Sequence, residues 1–328
     1  MPNRALLAAL GGALLLSTAA AQAQVQLRIA GNFPEDHTAT GAMAIFKEEV
    51  EKITDGGIQV DLFPAMQLGG AQENVDQVRS GAIFGVFTSI AYFSRSVPEY
   101  EAVSLPFLFD SREQAFALMD GEVGDYLDAK MAEEGFVNLG YMELGFRHVT
   151  NDVRPIETMA DFEGLKIRLQ PNEVHLDSMR AVGANPTPMD ISEVYSALQQ
   201  GVLDGQENPY NIIATRGFDE VQTYLSDSGH FFDFINAVAN RERFEELSAE
   251  HQEAVREAMR TAVLWQRAEA AAQEEKFRDV LIERGMTFTP ISDEVRADLR
   301  EATSGVVDGL RARIGDEPID LVLANMGS

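Results

Sequence analysis

The chain of 328 residues has no cysteine, which excludes disulfides, thiolate catalysis and zinc-thiolate sites together. Positive charge is scarce: 26 Lys and Arg stand against 53 Asp and Glu, a formal net charge of -27 at pH 7. Nucleic acid and anionic membrane bind through positive potential, so neither is expected as a partner. The five histidines are dispersed without HExxH spacing, and no bound metal is expected. There is no GxSxG, GxxxxGK[ST] or GxGxxG. Nucleophile-elbow, P-loop and dinucleotide chemistry therefore lack their motifs, and no cofactor is expected. Past the first residues no run of 18 or more apolar residues occurs, so stable membrane insertion is not expected.

What is present reads as an exported globular protein. Arg4, the apolar stretch Ala5 to Leu16 and the small-x-small site Ala21-Gln22-Ala23 form an export signal, with cleavage expected after Ala23. The remaining chain, 45% hydrophobic and 24% charged over the full sequence, is long enough to bury a core without covalent staples. Two domains are the expectation.

"VQLRIAGNFPEDH" opens as a strand and runs into a loop. A helix with Met43, Phe46, Val50 and Ile53 at helical spacing follows, stopped at "DGG". "IQVDLFP", a helix closed by Gly81 and an apolar strand near Ile83 to Phe87 continue the alternation. The pattern restarts with "GFVNLGYMELGFRHVTN", "DFEGLKIRLQP" and the helix "EVHLDSMRAVG", and turns predominantly helical from about Leu247. Two α/β units imply two lobes with a cleft at the carboxyl ends of their strands.

Within "DFEGLKIRLQP", Leu165, Ile167 and Leu169 alternate with Lys166 and Arg168, which places both cations on one face of a strand. That face is either plain surface or the wall of a cleft. A guanidinium there suits a carboxylate ligand, because its planar fork donates two parallel bonds and stays charged. The alternative is an internal ion pair with one of the many acidic side chains. Lys166, free to snorkel outward, is left outside the candidate site.

Three segments, "FPAMQLGGAQENVDQVRSGAI", "DFEGLKIRLQ" and "GANPTPMDISEVYSALQQGVLDGQENP", with "LPFLFDS" and "GFRHVTN" between them, resemble the substrate-binding subunits of TRAP transporters, the DctP family of extracytoplasmic solute receptors. The resemblance runs over nearly the whole chain after the leader. It implies a two-lobed periplasmic binding protein fold, type II-like, each lobe a sheet flanked by helices, with strands crossing between the lobes and a long helix spanning both. By that resemblance, lobe I comprises residues 24–145 with about 233–273, and lobe II residues 146–232 with about 274–300; residues 301–328 form a helical tail.

The implied function is capture of a small organic acid in the periplasm and its delivery to a membrane permease of one small and one large subunit, for ion-gradient-driven uptake. The receptor itself would be monomeric, cofactor-free and without catalysis. The resemblance places Arg168 on the ligand carboxylate, with Asn208 of "DGQENP" assisting and Arg147 of "GFRHVTN" and Asn32 also at the site. For Arg147 a structural ion pair at the hinge is the open alternative. Gln170 stands where the family often has proline. Ser89 and Ala71 stand where sialic-acid receptors carry acidic residues, which argues against that ligand. Among the aromatics Phe33, Tyr92, Phe93, Tyr210 and Phe234, one or two are expected to wall the ligand. A secreted enzyme acting on an acidic metabolite, or a receptor for another importer or a signalling partner, are the competing readings.

Overall fold

The computed structural model describes residues 24–326, so the expected export signal and the cleavage expected after Ala23 lie outside the described residues. Nine strands form one hydrogen-bonded sheet: β1 (Val25–Gly31), β2 (Ile58–Phe63), β3 (Gly85–Ser89), β4 (Phe136–Asn151), β5 (Lys166–Leu169), β6 (Asn185–Pro188), β7 (Gly205–Asn208), β8 (Tyr224–Asn240) and β9 (Thr287–Pro290). Their order is β2-β1-β3-β8-β4-β7-β5-β6, with β9 on β8. Strands β2, β1 and β3 run parallel, as do β7, β5 and β6. Each set is the strand-helix-strand half that the alternating sequence calls for.

Two long antiparallel strands make these halves one molecule. The last residues of β8 pair with β3, while the last residues of β4 pair with β7. Each of the two strands therefore starts in one lobe and ends in the other. Their mutual ladder shifts register at Asn138/Gly140, Glu143/Gly145 and Arg147/Val149. Bulges of this kind bend strands where a flat ladder would run straight. Gly145 takes φ +117 at the second shift, a conformation in which a side chain would be strained.

The 35-residue helix Ala249–Glu283 packs on the helix Thr38–Ile53 of lobe I, on β4, and on the helix Tyr210–Thr215 of lobe II. Buried Gln266 fixes it to the crossing: its Oε1 accepts from Glu143 N and its Nε2 donates to Glu143 O, both at 2.8 Å. Three core clusters result. One unites the long helix with Phe46, Val60 and Ile213; a second fills lobe I around Phe93, Phe136 and Phe234; a third lies under β5 around Phe162, Ile167 and Leu169. Val306, Leu310, Ile319 and Val322 of the tail are buried in the second. No helix among the described residues is long and apolar enough to cross a membrane.

Candidate ligand-binding cleft

The carboxyl ends of β1, β3, β5 and β7 meet around a small cavity. Asn32, Phe33, Thr88, Ser89 and Tyr92 line it from one lobe, and Gln170, Ile191, Asn208, Ile212 and Arg216 from the other, with Leu144 of β4 between them. Its volume is about 20 Å³, space for little more than one water.

Three links cross the cleft. The Tyr92 hydroxyl accepts from Ile191 N and from Arg168 Nη2, each at 3.2 Å. Arg216 Nη2 donates to the carbonyl of Asn32. Asp190, which caps the helix Ile191–Gln199 through Ser192 N at 3.0 Å, offers its other oxygen to Gln72 N at 3.2 Å. Gln72 lies in the first turn of the helix Ala71–Arg79, whose N-cap is Gly70 and has no side-chain cap of its own. The opposite lobe thus supplies a carboxylate to that helix's positive end. These bonds join the two halves of the sheet across the cavity.

Arg168 is fully buried. Its Nε and Nη2 donate to Met189 O at 2.9 and 2.6 Å, while Nη1 is buried without a partner. It is not among the lining residues, but its Nη2 bonds the hydroxyl of Tyr92, which is. Because the Tyr92 oxygen already accepts two N–H groups, its own proton is left to be donated. Gln170 Oε1, Asn32 Oδ1, Thr88 Oγ1 and Arg216 Nε are likewise buried and unpartnered. Buried polar groups are nearly always satisfied, so side chains without protein partners in and beside one cavity leave room there for water or a ligand to bond. Asn208 is held from behind, Oδ1 accepting from Arg147 Nη2 at 3.1 Å and Nδ2 donating to Gln206 at 2.5 Å. Ser89 Oγ donates to Asp233 at 2.9 Å.

Arg147 stands apart from the lining. It is fully buried, with Nε and Nη2 in a bidentate pair with Glu207 at 2.5 and 2.7 Å and Nη1 on Asp233 at 3.1 Å. A further Nη2 bond reaches Glu207 O at 2.7 Å. Burial alone would push the Glu207 carboxyl up, but Arg147 and His230 outweigh it and hold the group below the usual carboxylate range. Burial raises Asp233, against the pull of Arg147. The arginine, placed where β4, β7 and β8 meet, holds the crossing together.

Of the five aromatics, Phe33 and Tyr92 line the cavity. Tyr210 instead stacks on His148 with centroids 4.0 Å apart and donates to Asp227 at 2.8 Å, on a separate cavity of about 390 Å³. Phe234 packs edge-on against Phe109, Phe116 and Phe232, and Phe93 against Phe136. Rings at strand ends fill cores when the next layer is apolar. The larger cavity is lined by the cations Arg278, Arg296 and Arg300 together with Asp110, Asp227, Glu274 and Glu275. It does not gather the unmet polar groups of the cleft.

Sequence reasoning missed Thr88, Leu144, Ile191, Ile212 and Arg216. One signal pointed to the last: Arg216 is the only Lys or Arg between residues 181 and 240. Burial and the neighbouring Arg168 pull its guanidinium down to about 10. His37, stacked on Phe33 and capping the helix Thr38–Ile53, is lowered to about 3 by burial and then by Arg216. Its Nδ1 accepts from Ala39 N at 3.0 Å, the role of a neutral ring. Among the described residues no His, Asp and Glu cluster could hold a metal ion.

Two lobes joined by crossing strands, with unmet polar groups buried where they meet, form the frame of a solute receptor. The family pattern "Bacterial extracellular solute-binding protein, family 7" (DctP) matches residues 29–313, and the chain belongs to that family, the solute-binding proteins of TRAP transporters. The C4-dicarboxylate-binding periplasmic protein DctP of Rhodobacter capsulatus is 32% identical, aligned over 99% of each chain. The sugar acid binding protein DctPAm of Advenella mimigardefordensis, in complex with galactonate, superposes with a TM-score of 0.90 at 32% identity, covering 93% of this chain and 98% of that one. A TRAP periplasmic solute binding protein of Polaromonas sp. JS666 bound to D-erythronate gives 0.87 at 34% identity, covering 91% and 98%.

Proposed function

We propose that this receptor captures a small organic acid through its carboxylate on Arg168, between lobes that close around it, and presents the closed form to a permease of one small and one large subunit. The observation that carries this reading is Arg168 itself: a fully buried guanidinium with, among the described residues, no carboxylate partner and one unbonded nitrogen, in a chain rich in acids. A buried cation without a counter-charge is costly, and an arriving carboxylate removes that cost. Asn208, Asn32, Gln170 and Ser89 contribute polar contacts, Tyr92 a hydroxyl and Phe33 an apolar wall. Arg147 orients Asn208 from behind.

Closure works by differential contact, since the ligand touches both lobes only when they meet. The division at residues 24–145 with about 233–273 against 146–232 with about 274–300 follows the crossing of β4 and β8. A monomer in the periplasm, released from its leader after Ala23 and performing no chemistry on its ligand, completes the proposal. Thermal unfolding of the purified protein against galactonate, D-erythronate, succinate and other organic acids tests it. At a ligand concentration of 100 Kd, binding adds about 2.7 kcal/mol, a rise of several degrees. A panel that leaves the midpoint unmoved, or turnover of a bound acid, contradicts it.

A further inference from the structure

The larger cavity, about 390 Å³ in volume, has the size of a small-molecule site. Its floor is aromatic: Phe107 and Phe109 come from the loop before the helix Arg112–Met119, Phe146 from β4, and Tyr210 from the start of the helix Tyr210–Thr215. Its rim mixes signs, three guanidinium groups against four carboxylates. Most of these are paired within the chain. Arg300 meets Asp110 at 2.8 Å, Arg278 meets Asp279 at 3.0 Å and Glu274 meets Arg112, while Asp227 accepts from the Tyr210 hydroxyl and lies 3.0 Å from His148 Nδ1. Two are not. Among the described residues, Arg296 of the helix Asp293–Thr303 donates only to the carbonyls of Ser228 and Asp227, at 2.8 and 3.4 Å, and Glu275 of the long helix forms no ion pair or hydrogen bond. His148, buried at the wall, keeps an Nε2 with no partner.

A full anion in this cavity would meet four carboxylates, and a full cation three guanidinium groups. A zwitterion avoids both penalties, because each of its charges can turn to the unpaired group of opposite sign. The rings of the floor suit an apolar body. We propose that this cavity is a second ligand site, for an amino acid with an aromatic side chain: its carboxylate on Arg296, its ammonium toward Glu275 and its ring on the phenylalanines. His148 Nε2 adds a polar partner at the wall. The cavity and the cleft share β4 and the helix Tyr210–Thr215, which supplies Tyr210 to one and Ile212 to the other, but no residue lines both. The site therefore adjoins the carboxylate cleft without depending on it.

The test is calorimetric titration of the full chain with L-phenylalanine, 3-phenylpropanoate, which lacks the ammonium, and 2-phenylethylamine, which lacks the carboxylate. Phenylalanine should bind, and 2-phenylethylamine should bind about tenfold or more weakly than it, the scale of one charge-assisted hydrogen bond. Arg296→Gln should weaken phenylalanine by the same factor and leave 2-phenylethylamine unchanged. Glu275→Gln, at an exposed position, should weaken phenylalanine about threefold, the scale of an exposed ion pair, and leave 3-phenylpropanoate unchanged. Ligand-free thermal unfolding checks that each variant folds. Absence of phenylalanine binding at millimolar concentration overturns the proposal, as does 3-phenylpropanoate binding as tightly as phenylalanine, or a phenylalanine affinity unchanged in either variant. Arg168→Ala separates the two cavities. Phenylalanine affinity that survives there places the amino acid outside the cleft, as expected; affinity lost there puts it in the cleft and overturns the second site.

Discussion

Arg147 and Arg168 are both fully buried arginines on strands of one sheet, and they differ in what meets them. Arg147 has Glu207 on two of its nitrogens and Asp233 on the third. Arg168 has one carbonyl, one phenol and a nitrogen with nothing. Burial alone does not tell a structural cation from a binding one. The first is charge-balanced by its own chain, while the second keeps an unmet donor, the feature on which the proposed carboxylate site rests.

The largest effect expected from breaking this contrast is at the balanced arginine. Arg147→Ala leaves Glu207 and Asp233 buried without their cation and should cost roughly 3–5 kcal/mol of stability without ligand. Chemical denaturation reads this directly, and a loss under about 1 kcal/mol contradicts the structural role. Arg168→Ala should do the reverse. Ligand-free stability should hold or rise, because no ion pair is broken, while binding of the cognate acid weakens by roughly 2–5 kcal/mol. Calorimetry and unfolding on the same preparation separate the two outcomes.

His175 sharpens the comparison, since it lies in the fields of both arginines and stacks on Phe231 at 4.1 Å. Burial, the largest cause, lowers it to about 3. Its folded value lies below the unfolded 6.5, so the unfolded chain takes up the proton first as pH falls. The stability it contributes is complete above pH 6.5 and is lost on descent toward 3. Between pH 7 and 5 the loss is about 2 kcal/mol. His175→Leu should remove that share of the wild-type pH dependence of the denaturation midpoint; an unchanged dependence means the ring titrates normally.

The smallest effect is on closure. Asp190→Ala removes the bond to Gln72 N and should weaken ligand binding about three- to tenfold, the scale of one hydrogen bond. Solution scattering should show a more open ligand-free molecule. Unchanged affinity and radius of gyration would mean that the cross-cleft bond contributes nothing to closing.

Much of this was legible in the chain. Alternation in "LKIRL" separates buried Leu165, Ile167 and Leu169 from the polar face correctly. It does not distinguish Lys166 from Arg168, which share that face. Lys166 stands at the start of the strand and is exposed, while Arg168 lies near its carboxyl end and is buried. Position along a strand relative to the cleft is a tertiary fact that a period of two does not carry. β8 escaped the reading of elements because it is buried on both faces and shows no alternation, although crossing strands followed from the family resemblance. Tyr210 and Phe234 sat at plausible strand and loop ends, and only packing shows that their rings are occupied elsewhere. Arg216 followed a short helix with no pattern to flag it except its isolation among acids.

The central claim is that Arg168 supplies the ligand's counter-charge through a two-pronged grip. Calorimetric affinity of Arg168→Lys and Lys166→Ala, for whichever acid of the panel binds the parent most tightly, tests it most directly. Lysine keeps the charge and loses the fork, so Arg168→Lys should bind about ten- to a hundredfold more weakly, taking roughly 1.5–3 kcal/mol for the lost charge-assisted bond. Lys166→Ala should bind like the parent. If Arg168→Lys retains parental affinity while Lys166→Ala loses it, the carboxylate is held by the other cation and the assignment is wrong.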